Sequence, residues 1–350
     1  MMDPLEHLQM LKDSAAGIAP RKGDLKRIRA LRFTDPGFDR ATWRKMCDMG
    51  WVGLRVAEDA GGSGLGVQEL CGLAEELGAG LVPEPLIPAT MAAALLPAEH
   101  LSEVLSGERI VLPAWQEAPN SLALTGVTEL RDGKLSGRKL FVPMAAGADA
   151  FLVTVPGGLA LVERTAPGAY VEIQQTQDGG NFGTLIFDNA PAEPIEGDAT
   201  DALEQTIMAS AAYLLGLMDR AFGITLDYMK TREQFGHKIG SFQALQHRAA
   251  DMQVQLSLTR AVVKSAATAM DGERDQAARQ AAVSRAKIRA SDAAMVVTRT
   301  CIQLHGGVGY TDAYDIGLFL RKAMVLAPLY GSPSAHRARF RRVAPETVDE

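Results

Sequence analysis

Apolar positions recur at helical spacing along the last third of the chain. Ile207, Ala211, Leu214, Met218, Phe222 and Met229 form one such series, and Leu245, Ala249, Met252, Leu256 and Val263 form a second. Gly236 and Gly240 mark a bend between them, and Ser241 is placed to cap the second helix. The second helix, over 245–270, reaches the breaker Asp271-Gly272. A third follows over about 275–304, carrying Ala282, Ile288, Val296 and Cys301, and a fourth over 318–329. Four such helices predict a bundle, with the charged tail 338–350 frayed.

The middle of the chain follows another rule. Short apolar runs (Ile110-Val111-Leu112, Leu122-Ala123-Leu124, Leu140-Phe141-Val142, Phe151-Leu152-Val153, Leu159-Ala160-Leu161-Val162, Leu185-Ile186-Phe187) alternate with turn signals. The turns are Arg131-Asp132-Gly133, Pro156-Gly157-Gly158, Ala166-Pro167-Gly168 and Asp178-Gly179-Gly180-Asn181. This spacing predicts a small β-barrel or sandwich. The first hundred residues read as helical, with a turn at Gly61-Gly62 and Gly64 and a helix over 67–81. That turn follows no clear strand and lacks a Lys-Ser/Thr ending, so it reads as structural and not as a phosphate cradle. The predicted class is α+β, in three parts: a helical N-terminal domain (1–107), a middle β-domain (108–198) and a C-terminal four-helix bundle (199–350).

Composition changes this picture little. The 350 residues are 47% hydrophobic and 22% charged, which suits two or three packed units. A net charge of −6 gives no nucleic-acid footprint. No apolar run approaches the length that spans a bilayer, and the opening MMDPLEHLQMLKD has no secretory core. Cys47, Cys71 and Cys301 are odd in number and lack metal-ligand spacing. The expectation is reduced thiols, no metal and a cytoplasmic protein.

The chemistry gathers at the bend. Arg232 is a forked cation, Gln234 and Gln243 are amides, and Phe235 and Phe242 are aromatic. A bulky anionic ring cofactor needs such groups: a cation for phosphate, amides for a polar rim, apolar rings against a flat heterocycle.

The run Arg232-x-Gln234-Phe235-Gly236-x-x-Ile239-x-x-Phe242-Gln243 resembles a signature of the acyl-CoA dehydrogenase flavoproteins. A second signature is Gln303-Leu304-His305-Gly306-Gly307-Val308-Gly309-Tyr310-Thr311, and the resemblance extends over nearly the whole chain. Gly50-Trp51-Val52-Gly53, Gly61-Gly62 and Glu75-Glu76-Leu77-Gly78 resemble the family's N-terminal motifs, and 137–143 its middle-domain strand. The resemblance implies FAD, with Arg232 at the pyrophosphate, Gln243 also in contact, and Gln303, Gly306 and Gly307 bordering the same dinucleotide across a subunit interface. Gln234, Phe235, Phe141 and Ser332 join the implied cofactor set. It implies α,β-dehydrogenation of an acyl-CoA thioester, an external acceptor such as an electron-transfer flavoprotein, and a homo- or hetero-tetramer with no membrane or nucleic-acid partner. His305 is expected to cap the helix or lie at the surface.

This sequence departs from the family pattern at the base. Tyr330 stands where many members carry a glutamate, Thr206 stands at the alternative helix position 26 residues before Arg232, and Ala313 stands at a third. The middle-domain loop Trp115–Asn120 is short, and Pro143 offers no donor. Three readings follow: a subunit of a hetero-oligomeric dehydrogenase whose partner supplies the base, as in short members acting on steroid side-chain or ring CoA thioesters; a self-sufficient enzyme with Glu204 or Asp312 as a displaced base; or a flavin-free structural or regulatory paralogue.

Overall fold

The computed structural model describes residues 4–273 and 275–344. Six helices come first: α1 (Pro4–Ala15), α2 (Lys26–Leu31), α3 (Arg40–Asp48), α4 (Val67–Ala79), α5 (Leu86–Ala93) and α6 (Ala98–Leu105). Eight strands follow: β1 (Val111–Ala114), β2 (Glu129–Arg131), β3 (Lys134–Pro143), β4 (Ala150–Val155), β5 (Gly158–Glu163), β6 (Ala169–Gln175), β7 (Asn181–Pro191) and β8 (Glu193–Ile195). The rest is helical: α7 (Thr200–Thr231), α8 (Gln243–Gly272), α9 (Gln276–His305), α10 (Ile316–Leu326) and α11 (Pro333–Val343). A small hairpin of β9 (Glu233–Gln234) and β10 (His237–Lys238) lies between α7 and α8. By internal contact the chain divides into one unit of residues 1–25, 67–82 and 207–350, and another of 26–66 and 83–206.

The second unit holds two four-stranded sheets, ordered β1-β4-β5-β8 and β2-β3-β7-β6. They do not close into the expected barrel. Lys139 ties them together: it is fully buried on β3, and its Nζ donates to Trp115 O, to Thr154 Oγ1 on β4 and to Glu117 at 2.8 Å. Glu117 also accepts from the Val127 and Thr128 amides, strapping down the short 117–128 loop. Asp132 and Gly133 both take positive φ in the two-residue turn joining β2 to β3, as an Asp-Gly hairpin requires. The run Leu122–Leu124 forms no strand; Leu124 O instead accepts from Thr154 Oγ1. The Gly61-Gly62 turn folds back on Val56, where a Cβ on Gly62 would lie 2.2 Å from Val56 O.

In the first unit, α4 and α7 cross backbone to backbone. A Cβ on Gly78 would meet Tyr213 O at 2.0 Å, and one on Gly216 would meet Glu75 O at 1.8 Å. Glu75 and Glu76 pair beside this crossing with Arg21 and Arg260, and Asp219 joins them from α7. Helix α8 ends at the expected breaker, Asp271-Gly272. The Asp271 carboxylate also accepts from the Val67 and Gln68 amides and so caps α4. Ser241 does not cap α8; it donates to Lys238 O, and Phe242 occupies the cap position without a side-chain bond. By length and composition α7 could cross a bilayer, contrary to the sequence expectation, but 78% of its apolar window is buried inside the protein.

Among the described residues the C-terminal block holds five helices, one more than expected. Helix α11, with His336 and Arg339 buried, runs into the predicted frayed tail as far as Val343; residues 345–350 lie outside the described residues. Three buried side chains hold the carbonyls that leave α10. Lys287 Nζ donates to Leu326 O at 2.8 Å, Ser291 Oγ to Ala327 O at 3.1 Å, and His336 Nε2 to Tyr330 O at 2.9 Å. They fix a segment in which Tyr330 and Gly331 both have positive φ. Burial pushes the Lys287 ammonium down to about 7, and burial with nearby Arg339 pushes His336 down to about 3.

Two predictions follow. Gly216→Ala forces α7 away from α4 and costs about 1–3 kcal/mol, a Tm drop of roughly 3–10 °C. Gly223→Ala, on the same helix with no atom within 4 Å of its Cβ position, holds or gains up to about 1 kcal/mol. Equal losses in thermal melts would contradict the close crossing. The second concerns pH. Between about 7 and the free-lysine value near ~10.4 the unfolded chain carries a proton on residue 287 that the fold lacks. Stability there rises with pH, by up to about 1.4 kcal/mol per unit. Urea titrations at pH 7 and 10 should show the wild type gaining on Lys287→Met; parallel curves would rule this out.

Candidate functional site

Two helix ends meet in the first unit. Helix α7 stops at Thr231, and β9 and β10 then reverse the chain through Phe235 and Gly236, whose φ values of 55° and 80° suit a tight two-residue turn. Ile239 N donates to Arg232 O at 2.9 Å and closes the base of the hairpin. Helix α9 stops at His305, and Gly306 follows at φ 65°, ψ −147°, a backbone that glycine alone adopts without strain.

Tyr228, one turn before Arg232, joins these ends. Its ring stacks on His305 with centroids 4.3 Å apart and planes 21° apart, and its hydroxyl lies 3.4 Å from His305 O. Tyr314 closes the trio edge-on to Tyr228 at 5.7 Å and tilted against His305 at 5.2 Å. His305 is 3% exposed, so it is neither a surface residue nor only a cap. Cys301 O can only accept, so the 2.8 Å contact with Nδ1 places the hydrogen on that nitrogen. Burial pulls the imidazolium below its ordinary value, leaving a neutral ring. Its Nε2 is shut from solvent and has no hydrogen-bond partner among the described residues.

Around this trio lies a cavity of about 700 Å³ lined by Arg232, Gln234, Gln303, Gly306 and Gly307, with the aromatic trio and apolar Ile239, Leu245, Leu304 and Val308. The volume lies within the range of small-molecule sites. No protein atom comes within 4 Å of a Cβ built on Gly306 or Gly307, so these glycines leave open space and not a packed interior. A forked cation, two amides and bare backbone suit a diphosphate, and the aromatic side suits a flat ring.

The other sequence-selected residues lie elsewhere. Phe235, 89% exposed, tips the hairpin, and Gln243 is exposed at the first position of α8. Ser332 caps α11, accepting from Ala335 N. Phe141 belongs to the other unit, on a β3 bulge with φ 57°, its ring edge-on to Phe182 at 6.2 Å. Asp312 is exposed and paired with Arg321 at 2.7 Å. Glu204 is 3% exposed in the first turns of α7. Tyr330 is 3% exposed, and burial raises its phenol above the ordinary value. The sequence missed Tyr228 and Tyr314. Tyr228 falls one residue before Met229 of the apolar series and carries no motif of its own.

Comparison with known proteins agrees with the architecture. The model for the acyl-CoA dehydrogenase C-terminal domain matches residues 197–344, and that for the N-terminal domain residues 6–101. The chain is 30% identical over 337 residues to acyl-CoA dehydrogenase IpdE2 of Mycobacterium tuberculosis (strain ATCC 25618 / H37Rv), covering 95% of each. Among solved structures it matches a variant of the Tcur3481-Tcur3483 steroid ACAD with a TM-score of 0.86 at 30% identity, over 97% of this chain and 98% of that one. It matches the ChsE4-ChsE5 complex from Mycobacterium tuberculosis at 0.84 and 26%, over 98% and 97%. Helical N-terminal part, central sheets and C-terminal helices agree: the chain belongs to the acyl-CoA dehydrogenase family, oxidoreductases that use FAD to dehydrogenate acyl-CoA thioesters.

Proposed function

We propose that this chain is one subunit of a hetero-oligomeric acyl-CoA dehydrogenase: it supplies FAD contacts, and a related chain supplies the base. The observation that carries the proposal is Tyr330. At the place where many members hold a glutamate stands a buried phenol, raised above its ordinary value and anchored through its own carbonyl to His336. Such a group takes no proton at neutral pH.

FAD, when bound, would supply the hydride acceptor for the β carbon in this chemistry. The chain's own part is to bind and orient. Arg232 pairs with the diphosphate, Gln234 and Gln303 form the polar rim, and the Gly306–Gly307 backbone allows close approach. Phe141, Phe235, Gln243 and Ser332 complete the set when a neighbouring subunit is in place. Pro143 gives the flavin ring no hydrogen bond. The names of the steroid ACAD and of the ChsE4-ChsE5 complex support a bulky CoA thioester substrate and a two-chain assembly. Electrons leave to an electron-transfer flavoprotein, and three buried free thiols suit the cytoplasm.

The burial of Glu204 favours a second reading, in which this chain carries its own displaced base. Asp312, engaged by Arg321 at the surface, is the weaker alternative.

The visible spectrum of the purified assembly tests the cofactor assignment. Arg232→Ala should weaken FAD binding roughly 10- to 150-fold, the loss of about 1.5–3 kcal/mol for a charged hydrogen-bonding group. An unchanged dissociation constant would remove Arg232 from the site. Glu204→Gln in the assembly should leave flavin reduction within about twofold; a loss of about 10²–10⁴ would place the base in this chain.

A further inference from the structure

Tyr228 belongs to no motif, yet it holds both sides of the cavity. Its carbonyl accepts from Arg232 N at 2.9 Å, which extends the helical pattern of α7 to the cation. Its ring lies on His305 with centroids 4.3 Å apart, and its hydroxyl donates to His305 O at 3.4 Å. Tyr314 backs the Tyr228 ring edge-on at 5.7 Å.

The backbone that follows His305 needs such a hold. Gly306, at φ 65° and ψ −147°, is a residue with wide conformational freedom. No protein atom lies within 4 Å of a Cβ built on Gly306 or Gly307, so side-chain packing does not fix them. The peptide joining residues 305 and 306 is instead held from both ends. Its carbonyl meets the Tyr228 hydroxyl, and its N–H donates to Gln303 O. The bond from His305 Nδ1 to Cys301 O keeps the ring square to the stack.

We propose that Tyr228 is a positioning residue of the cofactor cavity: acting through His305, it keeps the Gly306–Gly307 backbone in register with the Arg232 guanidinium. Tyr314 supports it. This rests on the FAD reading above and deepens it. The stack orders the two phosphate-facing elements before the cofactor arrives, so binding does not bear the cost of ordering them.

A double-mutant cycle on the full chain, stripped of flavin and titrated with FAD, tests the proposal. Tyr228→Leu should weaken FAD roughly three- to tenfold, the range for loss of one aromatic pair. Tyr228→Phe, which keeps the stacked ring, should recover most of that loss. In an Arg232→Ala background the effect of Tyr228→Leu should shrink to within about twofold, because the register then has no cation to serve. Tyr314→Leu, which leaves α7 intact, goes through the same cycle and should show the same loss of effect, so the test survives misfolding of Tyr228→Leu. Equal factors with and without Arg232 would mean direct ring contact or general destabilisation, and would overturn the proposal while leaving the FAD reading standing. Wild-type affinity in Tyr228→Leu would overturn it as well. A wild type that binds no FAD would remove both.

Discussion

The stack of Tyr228 on His305 joins the two halves of the cavity. One ring rides on the end of α7 and the other on the end of α9, helices far apart in sequence. Arg232 lies one turn beyond the first ring, and Gly306–Gly307 directly follow the second. Aromatic pairs of this kind contribute about 0.5–1.5 kcal/mol beyond the area they bury. That is modest for stability but decisive for geometry, since a shift of one helix end would separate the cation from the glycine backbone. The hydrogen bond from His305 Nδ1 to Cys301 O fixes the orientation of the ring that spaces the two helix ends.

The rest of the first unit holds those helix ends in place. At the α4–α7 crossing, the Glu75-Glu76-Leu77-Gly78 motif has a packing reason: Gly78 admits the opposing backbone, while the two glutamates engage Arg21 and Arg260. Several charges share these partially buried contacts, an arrangement of more consequence than an isolated surface pair. Across the unit, Lys287, Ser291 and His336 grip the carbonyls after α10 and hold Tyr330 in a left-handed backbone. The position that resemblance associates with catalysis is thus firmly built, yet it carries a side chain unsuited to proton abstraction.

The sequence made the long helices and the Asp132-Gly133 hairpin legible, because period and turn chemistry are local. It also named five residues that the cavity brings together, Arg232, Gln234, Gln303, Gly306 and Gly307. What it missed depends on tertiary context. Strand β6 is largely exposed at a sheet edge and offers no continuous aliphatic run, only Val171 and Ile173 on either side of Glu172, whereas the apolar run Leu122–Leu124 finds no ladder. The arginine-rich end of helix α11, from residue 338 on, reads as a frayed tail, because burial of Arg339 requires the polar partner Ser284 on α9. Ser241 and Asp271 were each assigned a local role, and the structure gives Asp271 a partner about two hundred residues away. His305 carried no sign of burial, since its ring is covered by Tyr228 and Tyr314 from other segments.

The division of labour between this chain and a partner is the central claim, and anaerobic reduction of bound flavin by a CoA thioester tests it most directly. The visible flavin band should persist when a steroid-type acyl-CoA is added to this chain alone with FAD. It should bleach when the chain is assembled with a family member bearing glutamate at the place of Tyr330. Stoichiometric bleaching by this chain alone would contradict the account and show that the base lies within it.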